Sequence, residues 1–133
     1  MFDPTGASDA GLRLGDRVRF VPGDLRSLDD LRQAVRGQDA VVHLAADTRV
    51  MDSIEDPAHN FDNNVIGTFN LLQSARSHWE KLSSDARQTF RFVHVSTDEV
   101  FGALGREGRF DEKTPYDPRS PYSASRRRSA IGA

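Results

Sequence analysis

Thr97-Asp98-Glu99 follows directly on the β-type run Phe90-Arg91-Phe92-Val93-His94-Val95-Ser96. Adjacent carboxylates at the end of a strand can serve as a proton donor and a proton acceptor if their surroundings split their pKa values. Taken alone, an Asp-Glu pair is more often a solvated acidic turn, because these residues mostly sit at the surface. Tyr122 and Arg126 stand four apart at a helix start and so share a face. A cation beside a phenol favours tyrosinate and makes it a usable base, although an isolated Tyr-x-x-x-Arg is a common coincidence. His43 lies inside an apolar run and reads as a buried, hydrogen-bonded histidine. His59, His78 and His94 are isolated, and with no His or Cys partner at ligand spacing no metal site is predicted. Arg126-Arg127-Arg128 reads as a solvated helix end rather than a nucleic-acid patch. Met51 and Trp79 read as packing residues.

These side chains need elements to hold them. Residues 1–16 are rich in Gly, Asp and Ser without a period and read as an irregular segment. Residues 17–21 alternate polar and apolar before Pro22-Gly23, the pattern of a strand and turn. Ser27 is a suitable N-cap, Leu28, Leu31 and Val35 recur at helical spacing, and Gly37 closes that helix. The unbroken apolar run 40–46 has the pattern of a parallel strand covered on both faces. Residues 57–79 predict one long helix with Phe61, Val65, Phe69, Leu72 and Ala75 along one side; 90–96 predicts a third strand, and a last helix opens near Pro121. Alternating strands and helices predict an α/β fold with a parallel sheet. In such sheets ligands gather beyond the carboxyl ends of the strands, which directs attention to Asp24, to residues 46–48 and to residues 96–99.

The chain has 133 residues, 37 % of them hydrophobic, enough for one modest domain. Its net charge of −2 gives no overall field to attract nucleic acid or an anionic membrane. The lack of cysteine removes disulfides and thiolate metal sites and suits the cytoplasm. No secretory signal is visible at Met1-Phe2-Asp3-Pro4, and no apolar run approaches the roughly 20 residues that span a bilayer. Of the 18 basic residues only Lys81 and Lys113 are lysine, a bias of codon composition before it is one of function.

Five blocks in order turn weak signals into a specific one: 20–25 (Phe-Val-Pro-Gly-Asp-Leu), 42–46 (Val-His-Leu-Ala-Ala), 64–68 (Asn-Val-Ile-Gly-Thr), 94–102 (His-Val-Ser-Thr-Asp-Glu-Val-Phe-Gly) and 120–125 (Ser-Pro-Tyr-Ser-Ala-Ser). Over roughly residues 17–126 the chain resembles the dTDP-glucose 4,6-dehydratase family of extended short-chain dehydrogenases/reductases. The Ser-Thr-Asp-Glu-Val-Phe-Gly block is the specific part; sibling nucleotide-sugar epimerases share the tyrosine motif but usually lack the Asp-Glu pair. The resemblance implies a lyase that uses NAD as a recycled cofactor and a nucleoside-diphosphate hexose as substrate. It implies that Asp24 and Leu25 line the adenine pocket, that Ala45 and Ala46 pack near the cofactor's phosphate and ribose, and that Asn64 and Ser96 hold the strand ends around the nicotinamide. Tyr122 would take the proton of the sugar 4-hydroxyl, Glu99 the C5 proton, Asp98 would protonate the departing C6 hydroxyl, and Thr97 would hydrogen-bond near the 4-oxygen.

The departures from the family are equally specific. The early glycines, Gly6, Gly11 and Gly15, lie in an unpatterned stretch, and no Gly-x-x-Gly-x-x-Gly turn follows a first strand. The expectation is a partial Rossmann-like domain over 17–133, truncated at both ends, without the first glycine-loop unit and without a substrate domain; a family-like homodimer is expected only of a complete chain. The family's lysine four residues after the tyrosine is Arg126 here, a bulkier cation with a planar fork of donors. Residues 47–54 depart from the family's loop, and after Arg126 the resemblance ends, as a shifted or truncated reading frame would make it. A non-catalytic remnant is therefore the alternative to a dehydratase, with an epimerase third. By resemblance the three strands correspond to the third, fourth and fifth of the order 3-2-1-4-5-6. Strands 40–46 and 90–96 should pair directly, and the strand at 17–21 is expected to close the gap beside 40–46, giving a three-stranded sheet.

Overall fold

The computed structural model describes residues 18–131. The expected irregular segment 1–16 and Arg17 fall outside the described residues, as do Gly132 and Ala133.

Helix α1 spans Leu28–Val35. Ser27 caps it as expected, its hydroxyl accepting the Asp30 N–H at 3.3 Å, and Asp29 and Asp30 add negative charge where the helix dipole favours it. Gly37, at φ +73°, makes the left-handed exit that a residue with a Cβ rarely adopts. The chain then enters β1, Ala40–His43, which pairs in parallel with β2, Arg91–His94, in the register Ala40↔Arg91 to His43↔His94. The direct parallel pairing of these two strands is as expected.

Between the strands lie α2 (Val50–Glu55), α3 (Pro57–Phe61), a π-helical turn (Asp62–Ile66), α4 (Gly67–Trp79) and α5 (Ser84–Thr89). The predicted helix over 57–79 exists, but its ladder widens for one turn at 62–66. Asp56 caps its start by accepting the His59 N–H at 3.0 Å, and Pro57 takes the first-turn position that needs no N–H. Leu31 and Val35 of α1 meet Leu71 and Ala75 of α4, and Leu25, Val41, Phe90 and Phe92 close this core from the sheet side.

Four expectations need correction. The segment at 17–21 forms no strand over its described part: among the described residues, 18–21 have no ladder partner and the sheet has two strands, and Phe20 is 63 % exposed. Instead of joining β1, the chain is tied to α4, where Asn70 Nδ2 donates to the Leu25 carbonyl at 3.4 Å and Leu25 lies against Gly67. The runs at 40–46 and 90–96 are covered on one face only; Val42, Leu44, Val93 and Val95 point to the other face and are exposed. On the long helix, Ala75 is buried, whereas Phe61 and Phe69 face outward, so its apolar stripe is wider than the contact it makes. Met51 and Trp79 are exposed rather than core residues; Trp79 carries Arg87 over its ring at 5.4 Å and donates its indole N–H to the Arg87 carbonyl at 3.1 Å.

Candidate active site

Beyond His94 the chain runs through Val95 and Ser96 to Thr97, which caps a 3-10 turn at Asp98–Phe101. The Thr97 hydroxyl accepts the Glu99 N–H at 3.3 Å and donates to Asp98 Oδ1 at 3.4 Å, so the threonine orients the turn that carries both carboxylates. Asp98 and Glu99 are exposed, and Val100, buried beneath them, anchors the turn. Gly102 follows at φ +89°, and a Cβ there would lie 2.7 Å from the Asp117 carbonyl oxygen. This close approach lets Asp117 donate its N–H to the Val100 carbonyl at 3.0 Å. Phe101 stacks on Tyr116 with ring centroids 5.2 Å apart, and Arg127 stands over the other ring of the pair at 5.3 Å from Tyr116. The loop from 102 to 120 thus folds back and delivers α6, Pro121–Ile131, onto the 3-10 turn.

Helix α6 brings Tyr122 and Arg126, both buried, to the same end of the sheet as Thr97, Asp98 and Glu99. Arg126 lies against β2: its Nη2 donates to the Val95 carbonyl, while its Nη1 is buried without a partner. Burial pushes the guanidinium below its usual range, and only the nearby Tyr122 pulls the other way. Asn64, on the π turn, is fully buried. It accepts the Asp47 N–H at 2.7 Å and donates to the Asp47 carbonyl at 2.9 Å, fixing the loop that follows β1. Ser96 is exposed beside Thr97.

The other group of expected residues converges separately. Asp24, Leu25, Ala45 and Ala46 line one cleft of about 590 Å³, within the range of small-molecule sites. Two alanines at the end of β1 leave room there, and Asp24 supplies an acceptor, so the residues present fit the adenosine end of a dinucleotide. Its remaining walls are strongly acidic: Asp47, Asp52, Glu55 and Asp56 join Asp24, and the one lining arginine, Arg49, is paired with Asp52. Arg26 grips the Asp24 carboxylate at 2.6 Å, and together with the Arg26 backbone N–H it lowers that carboxyl to about 2. Arg26 did not stand out in the sequence, because an exposed arginine two residues from an aspartate is common.

Sequence reasoning treated the histidines singly, and the parallel register pairs two of them. His43 and His94 are cross-strand neighbours with ring centroids 5.0 Å apart. Thr68 Oγ1 donates to the Asn64 carbonyl at 2.7 Å, so it accepts from His43 Nε2 at 2.9 Å, and His43 is the buried, hydrogen-bonded histidine expected. Ser129 Oγ lies 3.3 Å from His94 Nε2, and His94 Nδ1 is buried without a partner. Desolvation, with the His94 and Arg126 charges next, drives His43 down from 6.5 to about 4. His94 is lowered by burial and by Arg126. Among the described residues no cluster of three or more His, Asp or Glu could hold a metal ion, and no helix is long and apolar enough to cross a membrane.

This architecture is the Rossmann-like α/β class of nucleotide-sugar dehydratases and epimerases. A solved dTDP-glucose 4,6-dehydratase, DesIV from Streptomyces venezuelae with NAD bound, superimposes at TM-score 0.80 and 38 % identity, over 96 % of this chain and 36 % of its own. A UDP-glucose 4-epimerase from Thermus thermophilus, also with NAD, gives 0.71 and 31 %, over 90 % and 39 %. Residues 6–130 match the GDP-mannose 4,6 dehydratase family, and the chain belongs to that family. Within it the chain is similar to dTDP-glucose 4,6-dehydratases. It is 52 % identical over 88 residues to that of Xanthomonas campestris pv. campestris strain B100 (66 % of this chain, 25 % of the relative). It is 50 % identical over 118 residues to a probable one of Sinorhizobium fredii (87 % and 33 %). The chain spans a quarter to a third of the length of these curated relatives.

Proposed function

We propose that these residues form the cofactor-facing and proton-transferring part of an NAD-dependent sugar-nucleotide 4,6-dehydratase, acting in the cytoplasm on a nucleoside-diphosphate hexose such as dTDP-glucose. The observation that carries the reading is the carboxylate pair Asp98-Glu99, set by Thr97 at the carboxyl end of β2 and packed against the helix of Tyr122. Residues 17–133 are read as part of an NAD-binding domain, and a family-like homodimer belongs to the complete chain.

Asp24 and Leu25 would hold the adenine, Ala45 and Ala46 would admit the ribose and phosphate, and Asn64 and Ser96 would flank the nicotinamide end. Bound NAD would accept hydride from C4 of the sugar and later return it to C6. Tyr122 takes the proton of the 4-hydroxyl, with Arg126 as the nearby cation and Thr97 hydrogen-bonded near the 4-oxygen. Glu99 removes the C5 proton, which the new 4-ketone acidifies, and Asp98 gives a proton to the departing C6 hydroxyl. Water leaves, and C5 regains a proton as the product becomes a 4-keto-6-deoxy sugar. An epimerase needs no proton donor at C6, which is why the Asp-Glu pair favours dehydration. The test grafts residues 18–131 in place of the matching segment of the Sinorhizobium fredii relative and assays it with dTDP-glucose. Formation of the 4-keto-6-deoxy product supports the proposal, and epimerised product or no product opposes it.

A further inference from the structure

The backbone of Tyr122 is held at both ends by serine hydroxyls. Ser53, from α2, accepts the Tyr122 N–H at 3.1 Å while donating to the Val50 carbonyl at 2.6 Å. Ser125 Oγ lies 2.7 Å from the Tyr122 carbonyl and 2.9 Å from Asn60 Oδ1. Asn60 in turn donates to the Asp47 carbonyl at 3.1 Å, and Asn64 Nδ2 lies 3.0 Å from Ser125 Oγ. Ser53, Asn60, Asn64 and Ser125 are each at most 4 % exposed, and none has an orphaned polar atom. That completeness is informative. Two side chains close by, His94 and Arg126, do keep unpartnered buried atoms. A satisfied buried polar network specifies one geometry, because each partner lost leaves a desolvated group unpaired.

We infer that Ser53, Asn60 and Ser125 are positioning residues that lock the Tyr122 helix to the Asp47 loop, so that the wall of the cofactor cleft and the tyrosine move as one unit. The network spans three separate parts of the chain: the segment after β1 with α2, the turn of the helix at Asn60 and Asn64, and α6. Asp47 itself lines the cleft, so a ligand seated there meets a loop whose N–H and C=O both lead to the Tyr122 carbonyl through Asn64 and Ser125, by three hydrogen bonds. The inference rests on the reading of Tyr122 as the proton acceptor, but its geometry is testable without turnover.

The experiment uses the 133-residue chain. Amide hydrogen exchange is followed by NMR in this parent and in Ser125→Ala, with Ser53→Ala as the milder second variant that touches only one arm. In Ser125→Ala, exchange should quicken about tenfold at both Asp47 and Tyr122, the effect of roughly one lost net hydrogen bond, while the ladder amides of Val41 and Val93 keep their rates. In Ser53→Ala only the Tyr122 end should quicken. Ser125→Thr, which keeps the hydroxyl, should restore the parent's rates at Asp47 and Tyr122, a rescue that mere loosening of the fold does not give. Uniform quickening along the chain, unchanged rates at Asp47 and Tyr122, or no rescue by Ser125→Thr would each overturn the inference. Failure of the grafted enzyme to dehydrate, with these exchange results intact, would remove the reaction assignment and leave the coupling standing.

Discussion

His43 and His94 occupy one rung of the parallel ladder, their rings 5.0 Å apart, with Arg126 as the next cationic group and, among the described residues, no carboxylate hydrogen-bonded to either imidazole. Burial disfavours the charged form of both. The His43 value is depressed in the folded chain, from 6.5 to about 4, so the folded state binds fewer protons than the unfolded one in that interval. Stability is therefore full above pH 6.5 and falls as the pH drops toward 4. The loss should reach on the order of 2 kcal/mol by linkage. Urea unfolding at pH 7 and at pH 4.5 should show it, and His43→Gln should flatten most of that difference, whatever it costs at neutral pH. A wild-type midpoint independent of pH across this interval would mean the histidines are not buried together.

Gly67 is the residue at which α4 passes Leu25. A Cβ there would stand 2.8 Å from Leu25 Cβ, closer than real contacts allow. Alanine improves helix propensity by about 1 kcal/mol over glycine, but overpacking of this kind costs about 1–3 kcal/mol. Gly67→Ala should therefore be neutral to destabilising, against the propensity trend, and should displace Leu25 at the edge of the cleft. Thermal unfolding checks the sign; a clear rise in Tm would show that Leu25 yields at no cost.

The cleft that gathers Asp24, Leu25, Ala45 and Ala46 is lined by five carboxylates against one arginine already paired with Asp52. A diphosphate entering it meets repulsion, and among the described residues no glycine turn at a helix N-terminus offers amides to offset that charge. The 133-residue chain should bind NAD no more tightly than about millimolar, a free energy near −4 kcal/mol. Calorimetric titration decides it, and a dissociation constant in the low micromolar range would mean that another segment supplies the phosphate contacts.

Arg126 is held against β2 by the Val95 carbonyl, with Nη1 orphaned in the interior. A buried guanidinium in this state is a poor structural element, since an unpaired buried donor costs about 1–3 kcal/mol. Arg126→Met in the isolated chain should lower its stability little or not at all. In the graft into the Sinorhizobium fredii relative, Arg126→Lys should raise turnover, because a slender ammonium reaches the phenol and the ribose more readily than a planar fork pinned to a carbonyl. Equal turnover of the arginine and lysine forms would show the departure to be harmless.

How much of this could be read from sequence differs by residue. The Ser27 cap, the Gly37 exit and the burial of His43 follow from local chemistry and periodicity, whereas the direct pairing of β1 with β2 follows from the strand order that the family resemblance implies, and the structure has all four. The grouping of Asp24 and Leu25 with Ala45 and Ala46 follows from the family resemblance, and the four line one cleft although no strand precedes Asp24 among the described residues. The failed strand at 18–21 shows the limit of that reasoning. Alternation predicts a strand only where a neighbour offers a ladder, and here Leu25 is taken up by α4 instead. Long-range partners left no local mark either. Ser53 meets Tyr122 across 69 residues and Ser125 meets Asn60 across 65, and serines carry no periodic signal. The π turn at 62–66 escapes a search at helical spacing because one widened turn changes the phase without breaking the helix.

The central claim is that Glu99 and Asp98 remove water across C5 and C6. The most direct measurement is the fate of the C5 hydrogen. The grafted enzyme is run on dTDP-glucose in deuterium oxide, and the product is examined by mass spectrometry and NMR, for the parent and for Glu99→Gln. With Glu99 as the base at C5, the product should be a 4-keto-6-deoxy sugar carrying one solvent deuteron at C5, and Glu99→Gln should lose at least about a hundredfold in its rate, the usual scale for removing a general base. Product without deuterium at C5, or a Glu99→Gln variant as fast as the parent, would contradict it.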